Sequence, residues 1–124
     1  MTLVYYTNKS NEVGRELQKA INEAIPEEAT EVYRSFKCLS QRLQAPTFNL
    51  KIAVIVATTK EEFLEILSIR KLLINDIRII LMLPDRDRTT LSQGLSLYPR
   101  FCLHTDSDFR DLTAVLKKMM KRFG

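Results

Sequence analysis

The stretch that decides the fold is LKIAVIVATTKEEF, residues 50–63. Its first eight positions are apolar except for Lys51, and they lack the apolar–polar alternation of a half-exposed strand. A strand without alternation is typical of a parallel sheet that helices cover on both faces. Thr59 and Glu62 then have the spacing of a capping box, which predicts a helix beginning at Lys60. The stretch therefore predicts a central strand that runs directly into a helix.

The same order of strand and helix continues on both sides of this stretch. Sequence patterns predict further strands over 3–7, 30–34, 77–83 and 101–104, and helices over 11–25, 36–43, 60–73, 88–97 and 109–123. In the helix over 88–97, the spacing places Leu91 and Leu95 inward. This alternation predicts an α/β fold: a three-layer α-β-α sandwich around a five-stranded parallel sheet. Five strands in this length fit the flavodoxin-like order 2-1-3-4-5.

Length and composition indicate one globular domain over residues 1–124. Apolar residues make up 45% of the chain, which excludes a disordered protein. No apolar run approaches the roughly 20 residues of a membrane span, and the segment Met1–Tyr6 lacks the features of a signal peptide. We therefore expect a cytoplasmic protein without a membrane partner, in which Cys38 and Cys102 are reduced, buried thiols.

The charge balance is mildly basic, with a formal net charge of +4. Such a balance permits an acidic partner but does not require one. Four cations end the last helix, where positive charge stabilises a helix C-terminus: they are Lys117, Lys118, Lys121 and Arg122. No aromatic side chain is interleaved with them to stack on bases, so the pattern does not favour a nucleic-acid partner.

Chemistry in an open parallel sheet sits beyond the carboxyl ends of the strands, where the strand order reverses. His104, the only histidine, ends the last predicted strand and is a candidate general base. No serine or cysteine nucleophile is evidently paired with it, which favours a packing role. Four aspartates in the same loops fit helix caps better than a cation site: they are Asp85, Asp87, Asp106 and Asp108.

Two stretches resemble the receiver domain of bacterial two-component response regulators. IRIILMLPD, residues 77–85, resembles the fourth strand of that family. FCLHTDSDFRDLTAVLKKMM, residues 101–120, resembles its fifth strand and last helix, including the Phe-x-x-Leu spacing of Phe109 and Leu112. The resemblance covers essentially the whole chain. It implies a receiver-like, flavodoxin-like fold and a role in bacterial signal transduction.

The resemblance also implies a degenerate phosphorylation pocket. Receivers carry an acidic pair after strand one, a phosphorylated Asp ending strand three, a Ser or Thr ending strand four and a Lys after strand five. The positions that form this pocket here are Thr7, Asn8, Ala57, Thr58, Pro84, His104 and Thr105. Phosphoryl transfer to a carboxylate needs the carboxylate and a cation held by oxygen ligands. Because Ala57 stands at the acceptor position, we expect no enzymatic activity, no metal and no cofactor.

Function is then expected from a surface. In receivers, the face formed by the fourth helix, the fifth strand and the fifth helix meets partners or a second copy. The matching residues here are Arg88, Gln93, Leu97, Tyr98 and Arg100. We expect the segment 97–99 to be exposed, with Tyr98 closing the core as the alternative. The resulting hypothesis is a protein-interaction module whose partner is another protein or a second copy of the chain.

Two other functions stay open. YYTNKSNEVGRELQKAI, residues 5–21, resembles the flavodoxin phosphate loop, in which Thr7, Ser10 and Asn11 would bind the phosphate of a flavin or nucleotide. Against it, the loop has no glycine and the chain has no tryptophan to stack on a flavin ring. The other function is phosphotransfer through a different residue, for which Asp85 is the candidate.

Overall fold

A computed structural model describes residues 2–7, 12–25, 29–46, 50–73, 77–104 and 109–123. Within these ranges the strands are β1 (Thr2–Tyr6), β2 (Ala29–Tyr33), β3 (Leu50–Val56), β4 (Arg78–Leu83) and β5 (Phe101–His104). The helices of the same ranges are α1 (Glu12–Ala24), α2 (Phe36–Gln44), α3 (Lys60–Ser68), α4 (Arg70–Leu73), α5 (Arg88–Leu95) and α6 (Phe109–Phe123). The predicted alternation of strands and helices is confirmed.

The strands form one parallel sheet in the order β2-β1-β3-β4-β5. This is the predicted order, and it reverses between β1 and β3. Within β3, Lys51 is the one exposed position, so the prediction of a strand buried on both faces is also confirmed. Because all pairs are parallel, the ends of β1, β3, β4 and β5 lie at the same side of the sheet, which we call the carboxyl edge.

The two faces of the sheet carry separate hydrophobic cores, because successive strand side chains point to opposite faces. Tyr5 packs in one core with Leu17 of α1 and Leu116 of α6. Tyr6 packs in the other core, to which Phe63 of α3 belongs together with residues of α2 and α4. The fold is therefore the predicted three-layer sandwich, with α1 and α6 on one face and α2 to α5 on the other.

The helix predicted over residues 60–73 is broken at Ile69, so the prediction of one continuous helix was wrong. The Ser68 hydroxyl donates to the Glu65 carbonyl at 2.5 Å. An uninterrupted helix would use that carbonyl for the Ile69 N–H, which donates to the Ile66 carbonyl at 3.2 Å. A serine hydroxyl that competes for a helix carbonyl bends or ends the helix.

The predicted inward face of α5 was also wrong. Leu91 and Leu95 are exposed, whereas Thr90 and Gly94 face the sheet. A Cβ at Gly94 would lie 3.0 Å from the Leu83 side chain, which is tighter than ordinary packing. The helix backbone thus lies so close to β4 that small residues must face it, and the leucines turn outward.

The two cysteines are free thiols. Cys102 is half-buried, and burial raises its pKa. Cys38 is exposed on α2, which contradicts the predicted burial, because Leu39 and Leu43 form the buried face of that helix. Among the described residues, no helix is both long and apolar enough to cross a membrane.

Candidate functional site

The carboxyl edge brings together four residues of the predicted pocket. Thr7 follows β1, Ala57 follows β3, Pro84 follows β4 and His104 ends β5. Thr7 and Ala57 are fully buried, whereas Pro84 and His104 are half-buried. The Ala57 N–H donates to the Met82 carbonyl at 3.1 Å, which extends the pairing of β3 with β4 beyond the strand. The position matched to the phosphorylated aspartate is therefore a buried alanine within the sheet framework.

A helix cap occupies the loop after β3. Oε2 of Glu62 accepts hydrogen bonds from the Thr58 N–H at 2.7 Å and from the Thr58 hydroxyl at 3.0 Å. The Thr59 hydroxyl accepts from the Glu62 N–H at 3.2 Å, as the capping box predicted. In the standard capping box the carboxylate accepts from the N–H of the N-cap residue, whereas here it accepts from Thr58, the residue before the N-cap. Glu62 is only 9% exposed, and its hydrogen bonds to Thr58 and Thr59 cap the N-terminus of α3.

Tyr6 lies beside this cap and is a neutral phenol at physiological pH. Burial, followed by the negative charges of Glu62 and Glu65, raises the pKa of Tyr6 to about 12. A phenol with such a pKa cannot act as a general base near neutral pH.

The end of β1 is packed against α1. A Cβ at Gly14 would lie 1.8 Å from Oγ1 of Thr7, so the helix approaches this strand at a distance that only glycine permits. The Tyr5 hydroxyl donates to the Gly14 carbonyl in the same contact. Burial raises the pKa of Tyr5 far above its usual value. Thr7 is thus part of the contact between strand and helix.

A second carboxylate lies in the loop after β4. Oδ1 of Asp85 accepts from the Asp87 N–H at 3.0 Å. The nearby Thr90 hydroxyl and that N–H lower the pKa of Asp85, and the charges of Lys60 and His104 lower it further. Asp85 is therefore an ionised side chain close to the start of α5.

The remaining pocket positions, Asn8 and Thr105, lie outside the described residues, as do Ser10, Asn11, Asp106 and Asp108. Within the described ranges no group of three or more His, Cys, Asp and Glu side chains is placed to hold a metal ion. The role of each pocket residue stays a prediction, and so does flavin or nucleotide binding.

Three exposed apolar side chains follow one another along α5 and its C-terminal turn. Leu91, Leu95 and Tyr98 are 41%, 53% and 78% exposed. Leu91 and Leu95 are four residues apart and share one side of α5, and Tyr98 follows in the turn after the helix. We call these three residues the α5 stripe. Single exposed apolar residues are common on protein surfaces, whereas several that are close in the fold mark a candidate binding surface.

The backbone of Tyr98 is in the left-handed region, with φ of 52°. Its N–H donates to the Leu95 carbonyl at 3.0 Å, which closes the end of the helix. Glycine or asparagine usually occupies such a position, and another residue costs about 1–2 kcal/mol there. Because the side chain is mostly exposed, packing in the core does not account for a tyrosine here.

The interaction surface predicted from the receiver resemblance is exposed only in part. Arg88, Tyr98 and Arg100 are exposed, and Gln93 is half-buried. Leu97 is buried in the core on the α5 side of the sheet, so its predicted exposure was wrong. The chain turns after α5 so that Leu97 points to the sheet and Tyr98 points away from it. The exposure predicted for Tyr98 is confirmed, and the alternative that it closes the core is wrong.

The sequence patterns did not predict a packing role for Gly14, and they placed the α5 leucines on the wrong side. Both glycines of the described helices interrupt a helical pattern. An isolated glycine at such a position indicates that another backbone or side chain approaches closely. That signal, applied to Gly94, would have turned Leu91 and Leu95 outward.

Comparisons with known proteins bear on the fold. No protein-family model matches the chain, and no curated protein matches it. Five chains of solved structure match. One is the crystal structure of a protein from Burkholderia pseudomallei described as pilus assembly-related, with 16% sequence identity and a TM-score of 0.71. The match covers 100% of this chain and 92% of that one. The similarity shows that the chain has a flavodoxin-like α/β fold of the receiver-like type.

Proposed function

We propose that this protein is a receiver-like domain without a phosphorylation site, and that it acts as a protein-interaction module in bacterial signal transduction. It pairs with a second copy of itself through the α5 stripe and catalyses no reaction. The cytoplasm is the compartment proposed for it. The exposed row of Leu91, Leu95 and Tyr98 is the observation that carries the proposal.

The residues at the carboxyl edge support the proposed absence of phosphotransfer. Ala57 offers no nucleophile, and the Glu62 carboxylate in the adjoining helix is bonded to Thr58. Thr7 packs on Gly14. These residues have packing and capping roles in place of the acceptor and the cation ligands that phosphorylation of an aspartate requires.

The residues on either side of Leu91 and Leu95 support pairing with a second copy. Arg88 is exposed at the start of the helix, and Tyr98 is exposed at the other end. A two-fold axis between Leu91 and Leu95 would bring each Arg88 near the partner's Tyr98, because a two-fold interface sets the same patch against itself. Guanidinium groups bind the faces of aromatic rings. Together with Arg88, the stripe is thus complementary to a second copy of itself, with Leu91 and Leu95 at its centre.

Sedimentation equilibrium tests the pairing directly. We expect the dimer fraction to rise with protein concentration up to about 1 mM. A favourable association free energy of about 4 kcal/mol corresponds to a dissociation constant of that size. Leu95→Glu should abolish the dimer, because a desolvated carboxylate would be left without a partner. Leu64→Glu is the matched control, since Leu64 is 49% exposed on α3 and lies outside the stripe. A strict monomer over the whole range, or equal effects of the two variants, would contradict the proposal.

The pilus assembly-related description belongs to the structural neighbour. We propose pilus assembly as the first process in which to look for a phenotype of the Leu95→Glu strain. The Leu64→Glu strain serves there as the control for effects on protein level.

A further inference from the structure

A groove with mainly cationic walls runs between α1 and the residue that follows β2. It is open to solvent and has a volume of about 420 Å³. Its lining residues are Arg15, Gln18, Lys19, Asn22, Glu23 and Arg34. The α1 residues among them recur at intervals of three and four, so they share one side of the helix. Three cations thus surround the groove, together with one carboxylate.

Arg34 is hydrogen-bonded to another residue of the groove. Its Nη2 donates to Oε1 of Gln18 at 2.9 Å. A guanidinium has five N–H donors in one plane, so this bond orients the group while other N–H groups stay available to a ligand. The groove thus presents three cationic donors beside the acceptor oxygens of Asn22 and Glu23. Its excess of positive charge favours a ligand that supplies acceptors and negative charge.

The positions of two groove residues oppose the helix dipole of α1. Arg15 lies in the N-terminal half of α1 and Glu23 in its last turn, which is the reverse of what the helix dipole favours. Arg15 and Lys19 are four residues apart, a spacing at which like charges repel. Within the described part of the chain neither forms an ion pair. Glu16 and Glu23 lie three and four residues from Lys19 and offset part of this repulsion. The groove still carries a net positive charge, which an anionic ligand would balance.

We propose that this groove binds a phosphate group carried by a larger ligand. Planar guanidinium groups form paired hydrogen bonds with phosphate oxygens, and a phosphate dianion balances more of the positive charge than a carboxylate does. The volume leaves room for the group to which the phosphate is attached. Two sources share this chemistry: a phosphorylated side chain of a protein and a small molecule such as a nucleoside monophosphate. The site is on the α1 side of the sheet, so it does not depend on pairing through α5.

Amide chemical shifts, followed by NMR during titration, test the proposal. The ligands are inorganic phosphate, adenosine monophosphate, a phosphoserine peptide and the same peptide without phosphate. We expect the phosphorylated ligands to shift the signals of Arg15, Lys19 and Arg34, and the unphosphorylated peptide to leave them in place. Tighter binding of the peptide or of the nucleotide identifies the source. Equal shifts with both peptides, or shifts spread over all cations of the surface, would overturn the proposal.

Two variants that each remove two positive charges distinguish binding in the groove from general attraction to a basic protein. Arg15→Gln/Lys19→Gln should weaken binding at least about tenfold, because it removes two charged donors. Lys37→Gln/Lys51→Gln alters two exposed lysines outside the groove and should weaken binding less than about twofold, since exposed charges act weakly at a distance. Arg34→Lys keeps the charge but loses the planar donor pair, and it should also weaken binding. Equal losses in the two double variants would refute a specific site.

Discussion

At the scale of single residues, the contact of Gly14 with Thr7 sets the distance between α1 and β1. Gly14→Ala should destabilise the protein by about 1–3 kcal/mol, because the new Cβ would lie 1.8 Å from Oγ1 of Thr7. The higher helix propensity of alanine, about 1 kcal/mol, offsets only part of this. Chemical denaturation measures the change.

Gly94→Ala is the control for that substitution. Its Cβ would meet the Leu83 side chain at 3.0 Å, at a terminal methyl that can move, so we expect a change near zero. If the two alanine variants were equally stable, the close approach at Gly14 would not be a rigid feature of the fold.

Tyr98 combines an unfavourable backbone conformation with an exposed ring. Tyr98→Asn should stabilise the monomer by up to about 1 kcal/mol, because asparagine tolerates the left-handed region better. The same variant should weaken self-association. Thermal denaturation at low concentration measures the first effect and sedimentation measures the second. A less stable monomer would show that the ring contributes to folding, against its proposed role in binding.

At the scale of elements, an ion pair connects β2 to α2. Nε of Arg42 donates to Oε1 of Glu31 at 2.6 Å, and the Tyr33 hydroxyl donates to the same oxygen at 2.6 Å. Hydrogen bonding from Arg42 lowers the pKa of Glu31. A lowered folded-state pKa stabilises the protein above the usual carboxyl pKa, and this contribution is lost as the pH falls through the folded-state value.

Arg42→Met should therefore reduce the free energy of unfolding at neutral pH by about 0.5–1 kcal/mol. The difference between wild type and variant should shrink as the pH falls below about 4.3, the usual glutamate value. Urea denaturation at a series of pH values measures the difference. A difference that stays constant into the acid range would show that Arg42 acts by packing and not by charge.

The N-terminus of α3 depends on one carboxylate. Glu62→Ala should cost about 1–2 kcal/mol, because the Thr58 N–H and hydroxyl would lose their acceptor at a mostly buried site. Glu61→Ala removes an exposed glutamate from the same turn and should cost only a few tenths of a kcal/mol, roughly the helix-dipole effect. Equal costs in denaturation would mean that negative charge in this turn matters more than the cap.

At the scale of the whole molecule, a receiver-like fold carries a buried alanine, Ala57, at the position matched to the receiver acceptor. Under the proposed function, incubation with acetyl phosphate and Mg²⁺ should leave the intact mass unchanged, because alanine has no nucleophilic group. Asp85 is ionised and lies near Lys60 and His104, so it is the side chain to examine if an adduct forms. A stable phosphoryl adduct that Asp85→Asn abolishes would contradict the proposed function.

The two proposed surfaces lie on opposite helix layers. The α5 stripe belongs to the layer of α2 to α5, whereas the groove at Arg15 and Arg34 borders α1. We therefore expect that a ligand in the groove and a second copy on α5 would not exclude each other.

The candidate site could be predicted only in part from the sequence. The loops that meet at the carboxyl edge follow from the strand order, so Thr7, Ala57 and Pro84 could be placed there. The contact of Thr7 with Gly14 and the bonds of Glu62 to Thr58 depend on exact distances. Hydrophobic periodicity predicts which side of a helix or strand is apolar, but it does not specify how closely two such elements approach each other.

The sequence by itself determined the strands and the buried character of β3, because continuous apolar runs and capping residues act locally. The parallel order also followed from it, because alternating strands and helices with right-handed crossovers leave few orders. Only the tertiary structure decided which side of α5 meets the sheet. Gly94 contacts Leu83, and this fit between helix and strand permits small residues alone. It turns Leu91 and Leu95 to solvent, although both are as apolar as the core. The proposed binding surface thus follows from the packing distance between two layers, which no local pattern specifies.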